Sequence, residues 1–265
     1  MLYLGVGHKR TGKSWRTIDI ARAMVRGGRK VLIFDTQNEY ADKVLYPDIR
    51  TLPYKQVALF SAHPEISIRR IPPFILETGE EMTPEEKEKV VIHILRYYRD
   101  GVLLLEDLND YVYDYMPSDI VGKILSQRHK GLDIIMHYHS FGAVQKKIWR
   151  HVNVIRLHKC QDAVIDNRDK FPEKYELFKI AENIVNDQFY LDNKYFSVEI
   201  IMDSQKITGD FADADRDKAI EDYLRLQYSR LILPYLKQVN PDGSRQYTSV
   251  AAFEKETDRL RTTYF

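Results

Sequence analysis

Gly7-His8-Lys9-Arg10-Thr11-Gly12-Lys13-Ser14 is the stretch on which the reading of this chain turns. Its spacing fits G-x-x-x-x-G-K-[ST]. The glycines let successive backbone N–H groups turn inward around a phosphate, and the lysine reaches the β and γ oxygens of a nucleotide. The serine offers a hydroxyl to Mg²⁺, and the helix behind it directs its positive end at the anion. The surroundings agree. Leu2-Tyr3-Leu4 reads as a buried strand. Ser14 to Arg26 reads as a helix with Trp15, Ile18, Ala21 and Val25 on one stripe, ended by Gly27-Gly28. Gly7, His8, Lys9, Arg10, Thr11, Gly12, Lys13, Ser14 and Trp15 are therefore the candidate nucleotide-binding residues.

The chain beyond this loop supplies strands that end in polar groups. Val31–Phe34 is a continuous apolar run of the kind covered on both faces in a parallel sheet, and Asp35 stands at its C-terminal end, where open α/β sheets place their ligands. Val57–Phe60 reads as a further strand, and Pro84–Tyr98 as a helix with the acidic first turn Glu85-Glu86. Gly101–Leu105 is a buried strand ending in Glu106-Asp107. One of these acids can bind Mg²⁺ while its neighbour orients or deprotonates an attacking water. An extra strand between the loop and the acids argues against the simplest small-molecule kinases. A helix then ends at Gly131, and the next strand finishes in His137-Tyr138-His139-Ser140. Period-2 alternation puts both histidines on one face. His139 is a candidate phosphate sensor; a His-x-His metal site and a merely hydrogen-bonded strand end are the alternatives.

Composition limits the rest. A chain of 265 residues with 44% hydrophobic side chains can bury a substantial core. Forty Lys and Arg against 39 Asp and Glu leave a net charge of +1, so nucleic-acid contact would have to come from local patches or from a ring of subunits. The one cysteine, Cys160, suits a reducing compartment. The opening residues leave no room for a signal peptide. No apolar run nears the roughly 18 residues that cross a bilayer, so a cytoplasmic protein without a transmembrane segment is expected.

Taken in order, these motifs resemble the FtsK–HerA superfamily of P-loop motor ATPases, which includes DNA translocases, conjugation ATPases and viral genome-packaging ATPases. GHKRTGKS matches its phosphate loop. VLIFDTQNEY resembles its second strand, with Asp35 and the pair Glu39-Tyr40. LLLEDLNDY matches the strand of the acidic pair, with Asp110 following. SQRHKGLDIIMHYH resembles an Arg-x-x-Gly helix end leading to the sensor strand, and VNVIRLHKCQDA the next strand, carrying Arg156. The chain departs in two places: Glu106-Asp107 stands where the family usually has Asp-Glu, and His139 where it usually has Gln. The resemblance implies an α/β P-loop NTPase (RecA-like) with a central, mostly parallel sheet flanked by helices. It implies ATP and Mg²⁺ as cofactors, with Lys13 and the loop on the phosphates and Ser14 and Glu106 on the metal. Asp107 would position water, His139 would sense the γ-phosphate, and Arg128 or Arg156 would reach in from an adjacent subunit. In size and layout the chain is most similar to the packaging ATPases of tailless, internal-membrane-containing viruses. The expected partners are then double-stranded DNA, copies of the chain in a homo-hexameric ring, and capsid or portal/vertex proteins, in the host cytoplasm or at a virion vertex. A Zot-like assembly or secretion ATPase and a monomeric P-loop phosphotransferase are the rival readings.

The remainder is less specific. Lys146, Lys147, Arg150, His151, Arg156, His158 and Lys159 form a basic stretch free of acids, suited to a channel, to a neighbour's active site, or to a solvated face. Residues 172–185 read as helix, Gln188–Leu191 with Tyr195–Met202 as a hairpin, and Asp213–Lys237 as a long amphipathic helix. The last helix-like piece is expected to pack on a neighbouring subunit. The expected division is a motor domain at 1–205 and a helical extension at 206–265.

Overall fold

The computed structural model describes residues 1–107, 118–171 and 174–265; Asp110 and the first residues of the helix expected over 172–185 lie outside these. The described strands are β1 (Leu2–Val6), β2 (Lys30–Phe34), β3 (Ile49–Thr51), β4 (Ile68–Ile71), β5 (Gly101–Leu105), β6 (Asp133–Tyr138), β7 (Val154–Leu157), β8 (Val198–Ile201) and β9 (Lys206–Gly209). They form one sheet in the order β3-β4-β2-β5-β6-β1-β7-β8-β9. Pairing is parallel from β3 across to β7 and antiparallel for β7–β8 and β8–β9. The sheet is the mostly parallel one expected, and β6 separates the strand of the glycine loop from the strand of the two acids.

Alternation along the strands builds two apolar layers. Leu4, Leu32, Leu103, Met136 and Ile155 face one side with most of the helices: α2 (Val57–Ala62), α3 (Pro84–Tyr97), α4 (Ser118–Ser126), α5 (Lys146–Trp149) and α6 (Tyr175–Tyr190). Val31, Ile33, Leu104 and Ile135 face the other, where α1 (Lys13–Arg26) packs through Ile18 and Ala21. Helix α3 is started by a capping box, with Thr83 accepting from the Glu86 amide and Glu86 from the Thr83 amide, and by Pro84 at its first position.

Five expectations are corrected. Val57–Phe60 is helix α2, because a 3₁₀ turn at Tyr54–Gln56 runs straight into it and Val57 and Phe60 bury at helical spacing; the strand is β4. Helix α6 continues through Tyr190, so the hairpin is β8–β9 instead. The long C-terminal helix is broken into α7 (Asp213–Leu226), α8 (Tyr228–Leu231) and α9 (Leu233–Leu236), with Gln227 at a non-helical φ/ψ of −104°/19° and Pro234 lacking an amide donor. The final helix, α10 (Ser249–Tyr264), packs on its own chain: Ala252 and Leu260 join the same buried layer as Ala219 and Ile220 of α7, and Arg261 grips Asp217 at 2.8 Å. Strand β9 begins at Lys206 and pairs with β8. Trp15 also leaves the buried stripe of α1 and stands 61% exposed.

The turn after β2 is set by a buried ion pair. Asp35 is fully buried and accepts from Arg70 Nη1 of β4 (2.7 Å) and from the amides of Glu39 and Tyr40, while Arg70 also reaches Asn38. Asp35 thus shapes residues 35–41 rather than facing a ligand. Arg70→Leu would strand that carboxylate in the interior, and a loss of about 3–5 kcal/mol is expected in urea denaturation. A loss below about 1 kcal/mol would show that the pair does not organise this turn.

Candidate active site

The glycine loop leaves β1 and enters α1 as the spacing predicts. Gly12 takes φ +83°, a left-handed conformation that glycine adopts without strain. Lys13 is buried, and its ammonium donates to the carbonyls of Gly7 (2.5 Å) and His8 (3.0 Å). Burial holds its pKa below the usual lysine value, against the opposing charges of Asp107 and Glu106. The Ser14 hydroxyl, one residue on, hydrogen-bonds Glu39 from the turn after β2. Burial raises the Glu39 pKa, partly offset by that hydroxyl.

Because β6 lies between β1 and β5, its terminal histidines stand between the loop and the acids. Two carboxylate–imidazole pairs result, and they differ. Glu106 is buried with both oxygens taken: Tyr40 donates its hydroxyl to Oε1, and His137 Nδ1 lies 2.7 Å from Oε2. The other ring nitrogen of His137 lies 2.9 Å from the Thr17 hydroxyl of α1. That hydroxyl also bonds the Lys13 carbonyl at 3.0 Å. A continuous hydrogen-bonded chain thereby ties β2, β5 and β6 to the first turn of α1. It needs Gly5 of β1, the register partner of His137, because a Cβ there would fall 2.7 Å from the imidazole Cδ2.

The second pair faces a cleft of about 470 Å³ lined by Lys9, Arg10, Gly12, Lys13, Ser14, Trp15, Gln37, Glu39, Asp107, His139 and Tyr195. His139 Nε2 lies 3.1 Å from Asp107 Oδ1, close enough to pair charges but without the alignment of a hydrogen bond. Both ring nitrogens of His139 are shielded from solvent and make no hydrogen bond among the described residues. Burial alone would raise the Asp107 pKa, but neighbouring His139 and the charge of Lys13 outweigh it and hold the carboxyl below its ordinary value. Asp107 also sits at φ +40°, where a non-glycine residue is strained. The acid exposed to the cleft is therefore Asp107, and Glu106 is the one already bound within the protein.

Other expected residues are placed differently. Arg156 projects from β7 on the α1 side of the sheet, ion-paired with Glu199 (2.6 Å) and over the Tyr3 ring; it is committed within its own chain. Arg128 belongs to the 3₁₀ turn Gln127–Lys130 before β6, at the opposite end of the sheet from the cleft. The basic stretch is divided by β7. Lys147, Arg150 and His151 are exposed before it, whereas His158 and Lys159 follow it beside the glycine loop, with His8 donating to the Lys159 carbonyl. His137, Tyr40, Thr17 and Tyr195 were not among the expected site residues. Gln37, also unexpected, lines the cleft with Tyr195.

No protein-family model matches the sequence, and no curated protein matches it. Its fold is similar to solved structures of the genome packaging NTPase B204 from Sulfolobus turreted icosahedral virus 2. The form in complex with ATP-gammaS aligns at a TM-score of 0.56 and 13% identity, covering 78% of this chain and 94% of that one. The form with AMPPCP aligns at 0.53 and 13%, covering 78% and 95%. The DNA-packaging ATPase B204 from Sulfolobus Turreted Icosahedral Virus aligns at 0.51 and 14%, again covering 78% and 95%. What is shared at these identities is the fold, the P-loop NTPase architecture expected from the sequence.

His158 supplies a test of the ground beneath the loop. It is buried against Gly7, neither ring nitrogen is hydrogen-bonded among the described residues, and burial, with Lys13 nearby, depresses its pKa well below 6.5. A histidine whose pKa is lowered by folding binds its proton more readily when unfolded. Stability is therefore lost as pH falls through 6.5 towards the folded-state value. Between pH 7.5 and 5.5 this one group should remove on the order of 1 kcal/mol, and His158→Phe should lose that much less than wild type in paired urea titrations. Identical slopes in the two proteins would refute the assignment.

Proposed function

We propose that this chain is an ATP hydrolase, a P-loop motor that drives double-stranded DNA into a preformed capsid as a ring of identical subunits. One observation carries the enzymatic part. The strand order β5-β6-β1 brings an ionised carboxylate, a histidine with unsatisfied ring nitrogens and a phosphate-type loop to one cleft. Lys13 would leave its loop carbonyls for the β and γ oxygens, and the amides of Gly12–Ser14 would surround the phosphates. Asp107, kept ionised, would accept from and orient the attacking water, and His139 would donate to the γ-phosphate. Glu106 acts at one remove: its two hydrogen bonds fix Tyr40, His137 and, through Thr17, the helix behind the loop. The hard oxygens of Ser14, Glu39 and Asp107 fit Mg²⁺, which when bound would neutralise charge developing on the phosphates. Glu106, the metal ligand implied by the resemblance, is reassigned to positioning because neither of its oxygens is free.

Support for the motor reading is the shared fold together with what those solved proteins are called, a genome packaging NTPase in complex with ATP-gammaS or AMPPCP and a DNA-packaging ATPase. No helix among the described residues is long and apolar enough to cross a membrane. A net charge of +1 gives one subunit little hold on DNA, so a ring that gathers Lys147 and Arg150 from several copies supports duplex binding better.

The test is ATP turnover with and without duplex DNA. Lys13→Ala should abolish turnover with its thermal unfolding unchanged. Asp107→Asn should still bind ATP while kcat falls by about 10²-fold or more. Unaltered turnover in either variant would remove that residue from the hydrolytic site. With Arg156 committed in its own chain, Arg128 is the arginine proposed to act across the ring. Mixing Lys13→Ala with Arg128→Ala subunits should restore partial activity from two inactive parents, an effect worth roughly 10³-fold for an arginine at the transferring phosphate. A mixture as dead as its parents would remove Arg128 from that role.

A further inference from the structure

The cleft has two unlike sides, and the nucleotide reading uses only one of them. Asp107, His139, Gln37 and Glu39 come from β5, β6 and β2, all on one side of the glycine loop in the sheet. On the other side are β7 and then β8, which runs antiparallel to it. The segment leading into β8 therefore arrives at the same edge of the sheet as the loop, and it carries Tyr195. The Tyr195 ring lies over Gly12: a Cβ added there would fall 3.2 Å from the tyrosine Cδ1. Arg16, in the first turn of α1, donates to the Tyr195 carbonyl at 3.1 Å and holds the segment in place. Yet the tyrosine is 63% exposed, and Trp15, which lines the same cleft, is 61% exposed. Two large aromatic side chains left in water beside a phosphate-binding loop serve no core.

We infer that Tyr195, with Trp15 as the second wall, is the platform on which the base of the bound nucleotide stacks. This rests on the nucleotide reading of the cleft. The acids and His139 fix the γ-phosphate end, so the nucleoside extends from the loop towards the side that carries the aromatics. The base is then held by its face and not by its edge. Stacking scales with ring area and ignores the pattern of donors and acceptors. The site accordingly accepts purine nucleoside triphosphates with little choice between adenine and guanine, and disfavours pyrimidines.

Binding of Mg²⁺-ATP, GTP, CTP and inorganic tripolyphosphate to the full chain tests this by titration calorimetry, with wild type, Tyr195→Ala, Tyr195→Phe and Trp15→Ala. Tyr195→Ala should weaken ATP and GTP by about tenfold or more, the range expected of one stacked base, and erase the preference over CTP. Tyr195→Phe should bind like wild type. Tripolyphosphate, which has no base, should change by less than twofold in every variant. Equal weakening of ATP and tripolyphosphate would overturn the inference by showing that Tyr195 serves only the loop, and unweakened ATP would overturn it outright. Failure of wild type to bind either ATP or tripolyphosphate would instead refute the nucleotide reading, and the base platform with it.

Discussion

A carboxylate buried at the end of an apolar strand must have both oxygens satisfied, and the centre of this molecule follows from how Glu106 meets that requirement. One oxygen is met by Tyr40, whose position depends on the Asp35–Arg70 turn. The other is met by His137, whose ring has room only because Gly5 on the adjacent strand has no side chain. The imidazole in turn fixes Thr17, and Thr17 the carbonyl of Lys13. Residues from β2, β4, β5, β6, β1 and α1 are thus bound into one arrangement. Loosening any of them disturbs the carboxylate first. Asp107, the next residue, is turned into the cleft beside it, still largely buried.

Much of this was legible in the sequence, and the pattern of what was not has a physical reason. The glycine loop, β1, α1, β2, β5 and the capped start of α3 are local: each depends on residues near one another in the chain. The misread elements are ones whose local signal is ambiguous. Val57–Phe60 is too short an apolar run to distinguish strand from helix, and the preceding 3₁₀ turn decided for helix. The helix expected to run from Asp213 to Lys237 keeps its apolar stripe through the breaks, so periodicity alone could not reveal them. At the site, the sequence offered two acids and two histidines in adjacent positions. It could not say which acid pairs with which histidine, or which pair faces solvent. Those facts depend on register between strands: His137 opposite Gly5, and β6 lodged between β5 and β1. Tyr195 was invisible for the same reason, since only the antiparallel return of β8 brings it to Gly12.

Charge behaves likewise. The basic stretch from Lys146 to Lys159 looks continuous when read along the chain, but four of its intervening residues form β7 and carry its ends to opposite edges of the sheet. Arg156, in the middle, is neutralised by Glu199 and covered by Tyr3. Sequence proximity overstated the patch; the exposed positive groups are fewer and are distributed between the cleft and the far edge.

The position of β1 at the heart of the sheet also bears on the order in which the molecule can assemble. β1 leads the chain, but its two neighbours are β6 and β7, and β5 with everything before it must be made first. As the polypeptide emerges, the glycine loop exists for most of synthesis on a strand with no partner, while β2, β4 and β5 can already pair among themselves. Contacts so distant along the chain close slowly. The cleft is consequently a late product of folding: it begins to form only once β7 has been made, and its lining is complete only when the segment carrying Tyr195 follows.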